Sequence, residues 1–350
     1  MNSEPKNLSV SWKSPSNIAI IKYWGKHPNQ IPANPSLSFS LQHCLTETCV
    51  NLTPKNTDLK FSFELWVAGK REVSFEPKIE KFLNQIHSTF PWLGQYHIHL
   101  ETNNTFPHSS GIASSASGMS ALALCFCSLH QNISQKPLAN FFQTASQIAR
   151  IGSGSAARSV YGGITVWGQH DLINGSSQEY ALKLENDIHP VYQTMQDTIL
   201  LVHKGSKAVS SSQGHDLMHT NPYASTRFNQ AAERLGNLLS ILKNGDLEAF
   251  IQTTESEALT LHAMMMVSNP YFMLMKPNTL QILEAIWQFR KETNFAVFFT
   301  LDAGANVHML YPEAIKNQAM NFIRNRLSIY CEDGQYICDQ IGNGPEQIKL

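Results

Sequence analysis

Charge is scarce in this chain. Only 15% of its 350 residues are Asp, Glu, Lys or Arg, and 26 basic against 27 acidic side chains leave a net charge of −1. A balance so near zero excludes a broad basic face for nucleic acid, so any strong positive field must be focused in a site. Long apolar runs are missing as well. No uninterrupted stretch approaches the roughly 20 residues that span a bilayer, and the polar start Met1-Asn-Ser-Glu-Pro-Lys-Asn-Leu8 has no signal-peptide core. Together these absences predict a cytoplasmic protein. Cys44, Cys49, Cys125, Cys127, Cys331 and Cys338 show neither zinc-ligand spacing nor a Cys-x-x-Cys pair, which predicts reduced and mostly buried thiols. Finally, no Gly-Lys-Ser/Thr closes any glycine-rich loop, so a Walker-type nucleotide site is excluded.

What is present is a globular balance, with 42% hydrophobic residues in a chain long enough for two ordinary cores. Strand patterns occur at Ile18 to Ile21, Leu37 to Leu41, Phe61 to Val67 and Tyr96 to Leu100, with a turn at Gly69 and a possible hairpin partner at Glu72 to Phe75. Ile79, Phe82, Leu83 and Ile86 fall at helical spacing, and helices are predicted from the loop near Gly111 to about His130 and from Phe141 to Ala149. Strands then follow at Ile164 to Trp167 and at Thr198 to Val202. The second half holds three helices, a break at Gly245, the buried strand Ala296 to Thr300, a turn at Asp302, a strand at Val307 to Tyr311, another helix and a last strand near Tyr336 to Ile341. The polar Ser206-to-Gly214 segment predicts a mobile loop. We therefore expect an α/β (α+β) protein with two domains, residues 1–190 and 191–350, divided in the polar stretch Glu185 to Asp197.

Four segments carry the chemistry. In Asn104-Thr-Phe-Pro-His-Ser-Ser-Gly-Ile-Ala-Ser-Ser-Ala-Ser-Gly118 a glycine-and-serine loop runs straight into an apolar helical pattern. The first N–H groups of a helix lack intrahelical partners and carry the positive end of its dipole, so this end suits a polyphosphate. An ordinary capped loop would read the same way on these residues alone. In Gly152-Ser-Gly-Ser-Ala-Ala-Arg-Ser159, glycines permit a tight turn, Ser153 and Ser155 supply hydroxyls, and Arg158 adds a planar charged fork; a flexible linker is the alternative. Lys22 and Lys26 flank Tyr23, either as solvated charges or as two ammonium groups on one anion. Asp302 follows the apolar run Phe295-Ala-Val-Phe-Phe299 and reads on its own as a turn former.

With Pro15-Ser-Asn-Ile-Ala-Ile-Ile-Lys-Tyr-Trp-Gly-Lys26, Asn34-Pro-Ser-Leu-Ser38, Tyr161-Gly-Gly163 and Thr300-Leu-Asp-Ala-Gly-Ala-Asn306, these segments resemble the mevalonate diphosphate decarboxylases, members of the galactokinase, homoserine kinase, mevalonate kinase and phosphomevalonate kinase (GHMP) superfamily. The resemblance implies an N-terminal domain like the second domain of ribosomal protein S5, a ferredoxin-like C-terminal domain and a site in the cleft between them. It implies ATP-dependent decarboxylation of mevalonate 5-diphosphate to isopentenyl diphosphate, through phosphorylation of the C3 hydroxyl, with ATP and Mg²⁺ as cofactors and the metal arriving on the nucleotide. Asp302, Lys22, Arg158 and Asn17 would be catalytic. Tyr23, Lys26, Ser153, Ser155, Arg158 and Arg227 would bind the substrate. Ser109, Ser110, Gly111, Ala113, Ser114 and Ser115 would bind the nucleotide, and the loop near Ser206 to Gly214 would be a lid. A homodimer is a further expectation from the family.

The chain departs from the family where His108-Ser109-Ser110 replaces Thr-Ala-Ala and where Ala305 replaces a proline. Rival readings are a mevalonate 3-kinase, a decarboxylase of the monophosphate, or a binding relative without chemistry. Retention of Asp302, Lys22 and Arg158 together argues against the last.

Overall fold

The computed structural model describes residues 7–107, 112–185, 188–205 and 209–349. Its spine is a pair of long antiparallel strands, β1 (Leu8–Ile21) and β2 (Ser36–Pro54). Their Ile18–Ile21 and Leu37–Leu41 ends are covered on both faces: apolar residues run through Ile18–Ile21 without alternation, and the serines that alternate in Leu37–Leu41, Ser38 and Ser40, are buried too. Pro15 cannot donate to a ladder, and the register shifts between Pro15 and Asn17. Such a bulge re-aims the next side chain, and Asn17 is one that the site uses.

The first sheet continues with β3 (Ser62–Val67), β4 (Lys70–Arg71), β5 (Tyr96–Asn104), β6 (Ile164–Trp167) and β7 (Ala181–Lys183). Beyond β2 the order is β5, β3, β4, with β3 parallel to β5; the Ser36–Phe39 end of β2 pairs instead with β6, and β6 with β7. Against one face lie α1 (Glu76–Ile86), α2 (Ser114–Ser134) and α3 (Phe141–Gly152), which close the first core around Phe82, Phe90 and Phe126. The short α4 (Ala156–Ser159) follows α3 directly. The hairpin partner expected at Glu72 to Phe75 lies instead at Lys70–Arg71. Glu72 accepts from the Ser74 N–H, so the chain is already winding toward α1 at Val73–Phe75.

The second sheet, in the order β9, β10, β8, β11, is antiparallel: β8 (Gln196–Leu200), β9 (Phe298–Leu301), β10 (Val307–Tyr311) and β11 (Tyr336–Gln340). Alternation sends Phe298, Ile199 and Leu310 toward the first sheet. Phe299, Leu301 and Met309 point to the opposite core, which helices close. The helices of this half are α5 (Ser211–Asp216), α6 (Ala224–Asn244), α7 (Leu247–Met266), α8 (Pro277–Thr293) and α9 (Lys316–Phe322). Gly245, with φ of 72°, ends α6 in the left-handed turn that glycine tolerates.

Asp339 on β11 pins the seam between the two sheets by accepting the N–H groups of Gln42, His43 and Cys44 at 2.8, 2.9 and 2.7 Å. The chain then returns: β12 (Glu346–Ile348) pairs with β1. A division at residue 190 thus assigns to the second domain a strand whose hydrogen bonds belong to the first sheet. No described helix is long and apolar enough to cross a membrane.

Within Ser206 to Gly214, expected as a mobile loop, the end from Ser211 is helical instead. Ser211–Asp216 is helical, started by a reciprocal capping box between Ser210 and Gln213, while Ser206, Lys207 and Ala208 lie outside the described residues.

Candidate active site

A cavity of about 200 Å³ opens where the end of β1, the turn after β9, the α3–α4 junction and α5 meet. Its floor begins at Lys22, the first residue past β1. The Lys22 Nζ lies 3.0 Å from Oδ1 of Asp302, although 280 residues separate them, and the lysine side chain is only 2% exposed. Alternation explains the meeting. Phe298 and Thr300 face the first sheet, with Thr300 Oγ1 donating to the Ala19 carbonyl, and Asp302 continues that parity one residue past the strand. Burial holds the Lys22 ammonium below its ordinary pKa of 10.5, opposed mainly by the Asp302 charge.

The backbone of Lys22 is held as firmly as its side chain. Its N–H donates to Glu257 Oε2 at 2.8 Å, and its carbonyl accepts from Asn34 Nδ2 at 2.9 Å and from Arg227 at 3.3 Å. Glu257, fully buried on α7, also receives Arg227 at 2.6 and 3.0 Å and Arg234 at 2.7 Å. Arg227 was expected at the diphosphate. Its two terminal nitrogens pair with Glu257, and one also donates to the Lys22 carbonyl, with a side chain 1% exposed, so here it supports the Lys22 turn from behind. Sequence reasoning missed Glu257, because a glutamate inside an amphipathic helix carries no local sign of the three partners it will meet.

Arg158 is buried beside Asn17. Its Nε donates to Asn17 Oδ1 at 3.2 Å and its Nη1 to Ser36 Oγ at 2.5 Å, while Asn17 Nδ2 donates to Ser159 Oγ at 2.7 Å. Burial lowers the Arg158 pKa to about 10, opposed by Asp302 and Tyr23, so the fork stays charged at neutral pH. The Gly152 loop differs from its expectation in one respect. The N–H groups of Ala156, Ala157 and Arg158 donate to the carbonyls of Ser153, Gly154 and Ser155, so α4 offers no open helix end here. Ser153, Gly154, Ser155 and Arg158 line the cavity. Gly154 is required by close approach: a Cβ there would stand 2.7 Å from the Tyr23 hydroxyl and 2.9 Å from Trp167.

On the other wall α2 begins at Ser114, preceded by Ala113 in the left-handed region at φ 47°. Ser115 Oγ is 3.3 Å from Ser153 Oγ, so the two loops expected to cradle phosphates meet. Ser109, Ser110 and Gly111 lie outside the described residues. Ala113, Ser114 and Ser115 also border a larger, mainly apolar cavity of about 520 Å³, walled by Leu65, Val67, Ile79, Leu100, Met119 and Leu122. Lys78 on α1 stands at the junction of both cavities, with no ion pair or hydrogen bond among the described residues. It was not anticipated, since one exposed-looking lysine on a helix resembles any other.

Among the described lining residues, Lys22, Lys26, Lys78 and Arg158 face the 200 Å³ cavity against the one carboxylate of Asp302. The positive field that the near-neutral composition denied to the surface is concentrated here, and a polyanion fits it. No group of three His, Cys, Asp or Glu among the described residues could hold a metal. Asp302, Ser115 and Ser153 are oxygen donors lining this cavity, so a magnesium ion would find at most a partial shell of protein oxygens here and would depend on phosphate oxygens for the rest.

Comparison with known proteins gives consistent likenesses. Residues 14–179 match the diphosphomevalonate decarboxylase-like N-terminal domain family, and residues 198–347 match the mevalonate 5-diphosphate decarboxylase C-terminal domain family. Diphosphomevalonate decarboxylase of Debaryomyces hansenii is 28% identical over 329 residues, covering 89% of this chain and 81% of its own. The crystal structure of mevalonate diphosphate decarboxylase from Staphylococcus aureus aligns with a TM-score of 0.84 at 27% identity, over 98% of this chain and 99% of the other. A structure of MDDEF in complex with MVAPP, AMPPCP and magnesium aligns at 0.83 and 26% identity, over 99% and 100%.

Proposed function

The chain belongs to the diphosphomevalonate decarboxylase family, and from that membership and the charge of its cavity we propose the roles of its residues in an ATP-dependent decarboxylation. The reaction converts mevalonate 5-diphosphate, ATP-phosphorylated at the C3 hydroxyl, to isopentenyl diphosphate, CO₂, ADP and phosphate. The observation that carries the assignment of roles is the Lys22–Asp302 pair at 3.0 Å, with Arg158 and Asn17 beside it, in a cavity whose other charged lining residues are Lys26 and Lys78.

Asp302 accepts the proton of the C3 hydroxyl, or holds it aligned, as the oxygen attacks the γ-phosphoryl group. Lys22 keeps that carboxylate ionised and oriented. Once C3 carries phosphate, its departure leaves positive character on C3, and loss of the carboxylate as CO₂ supplies the electron pair of the double bond. Lys22 and Arg158 face the leaving phosphate with fixed charges, which need no reorganisation during the step. Tyr23, Lys26, Ser153 and Ser155 hold the 5-diphosphate, while Ser114, Ser115 and Lys78 face the nucleotide phosphates. The apolar cavity beyond them takes the base. Magnesium carried by the nucleotide would offset charge between its phosphates.

The test is turnover of purified protein with ATP, Mg²⁺ and, separately, mevalonate, its 5-phosphate and its 5-diphosphate. We expect CO₂ and ADP in equal amounts from the diphosphate. ADP without CO₂ from the 5-diphosphate would identify a kinase and refute the decarboxylation.

A further inference from the structure

α5 is docked onto the Tyr23–Lys26 turn by three consecutive residues. Gly214 lies so close to the Trp24 indole that a Cβ would stand 2.5 Å from it. His215 sits between two rings, its centroid 4.3 Å from Tyr23 and 4.6 Å from Trp24. Asp216 lies 3.8 Å from the Lys26 ammonium. Of these, His215 is the one whose chemistry exceeds packing. Its Nδ1 accepts the Gly25 N–H at 2.9 Å, so the ring proton of the neutral imidazole is on Nε2. That second nitrogen has no partner among the described residues, yet the imidazole is 8% exposed and lines the 200 Å³ cavity with Tyr23, Lys26, Arg158 and the Ser153–Ser155 segment.

Two features make this an occupied position in the working protein. The Tyr23 ring packs against the imidazole at a tilt of 36°, and its hydroxyl is a sealed oxygen with no hydrogen-bond partner among the described residues. The Tyr23 hydroxyl is thus a further unpaired polar atom on the wall that carries Nε2–H, and polar groups withdrawn from water, as this hydroxyl is, are seldom left unmatched. The ring is also held neutral: burial, then the charges of Lys26 and Arg158, press its pKa down to about 3. A neutral donor amid cations adds a directed hydrogen bond to an anion without adding to the repulsion among them.

We propose that His215 is a further substrate-binding and specificity-determining residue, whose Nε2–H donates to a phosphoryl oxygen of the 5-diphosphate beside Tyr23 and Lys26. The inference rests on the assignment of that end of the cavity to the substrate's diphosphate. It places a residue of α5 in contact with substrate, so the segment that covers the cavity also reads what is in it.

Amide side chains separate the two nitrogens. In His215→Asn the amide oxygen takes the place of Nδ1 and keeps the Gly25 contact, while nothing replaces Nε2. In His215→Gln the amide nitrogen reaches the Nε2 position. Binding of mevalonate 5-diphosphate and of the 5-phosphate, measured by calorimetry without ATP, is compared with KM for ATP and with turnover.

We expect His215→Asn to bind the diphosphate about ten- to a hundredfold more weakly, the value of one hydrogen bond to a charged acceptor, with a smaller loss for the monophosphate and an unchanged KM for ATP. His215→Gln should recover most of the lost affinity. Equal affinity of wild type and His215→Asn, equal losses for both substrates, or failure of Gln to exceed Asn would overturn the proposal. A wild type that binds the diphosphate and releases no CO₂ refutes the decarboxylase assignment, while the affinity ratio still decides the role of His215. A wild type that binds neither compound overturns both.

Discussion

Replacing Asp302 with Asn keeps the shape of the side chain and removes the charge that faces a buried ammonium, the lysine side chain being 2% exposed and the aspartate 24%. Lys22 and Asp302 are 3.0 Å apart. At an effective dielectric constant of about 20, unit charges at that distance attract by roughly 5.5 kcal/mol. In the variant, the buried ammonium keeps the Glu257 carboxylate as a favourable neighbour and Arg158 as an unfavourable one. Removing one member of a buried pair costs about 3–5 kcal/mol of stability, and we expect a loss in that range by urea denaturation. Turnover should fall by a factor on the order of 10²–10⁴, as for loss of a general base, with ATP binding nearly intact.

The pH dependence has a definite sign. Burial places the folded pKa of Lys22 below 10.5, so between the two values the unfolded chain holds more protons than the folded one. The deficit of Asp302→Asn should therefore shrink as pH rises through the lowered Lys22 pKa. The double variant Lys22→Met/Asp302→Asn removes both charges and should recover most of the stability while staying inactive. Two results refute this reasoning. One is a double variant as unstable as the sum of its single changes. The other is an Asp302→Asn protein that releases CO₂ at the wild-type rate.

Three further outcomes follow from the geometry. Glu257→Gln withdraws the charge on which Lys22 N–H, Arg227 and Arg234 converge; we expect a loss of about 3 kcal/mol in chemical denaturation and a raised KM for the substrate, and a change under about 1 kcal/mol would show the network to be incidental. Lys78→Met should raise KM for ATP about tenfold while leaving mevalonate diphosphate affinity in place, checked by calorimetry with each ligand alone; the reverse pattern would move Lys78 to the substrate site. His215 is held neutral down to about pH 3 with Lys26, Arg158, Tyr23 and Asp216 around it, whereas in the unfolded chain it takes up a proton near 6.5. Stability should therefore fall as pH drops from about 6.5 toward 3, and His215→Gln should flatten that slope in denaturation series from pH 7 to 4; an unchanged slope would refute the neutral imidazole.

Much of this protein was written locally. Alternation marked the strands at Leu37–Leu41 and Tyr96–Leu100, short apolar runs marked Ile18–Ile21 and Val307–Tyr311, and helical spacing marked α1 through Ile79, Phe82, Leu83 and Ile86. These follow because backbone preference and side-chain alternation act over a few residues. The glycine-and-serine segments likewise announced themselves, since tight turns and hydroxyl donors need particular residues at fixed spacing. Local composition misled where short-range hydrogen bonds outweighed it: the polar Ser210–Gln213 stretch caps a helix, and Glu72 begins a turn where a strand was expected.

The partnerships were decided only by the docking of one sheet on the other. Nothing near Lys22 names Asp302, nothing near Glu257 names the backbone of Lys22, and nothing near His215 names Gly25; the partners lie 280, 235 and 190 residues away. Arg227 shows the same dependence in reverse, a cation that sequence placed on the ligand and that the fold turned inward to Glu257. The sequence determined which groups were available, because chemistry belongs to the residue. Which of them face a ligand and which face each other was left to tertiary structure, because charge pairing and burial depend on distances in space that sequence separation does not encode.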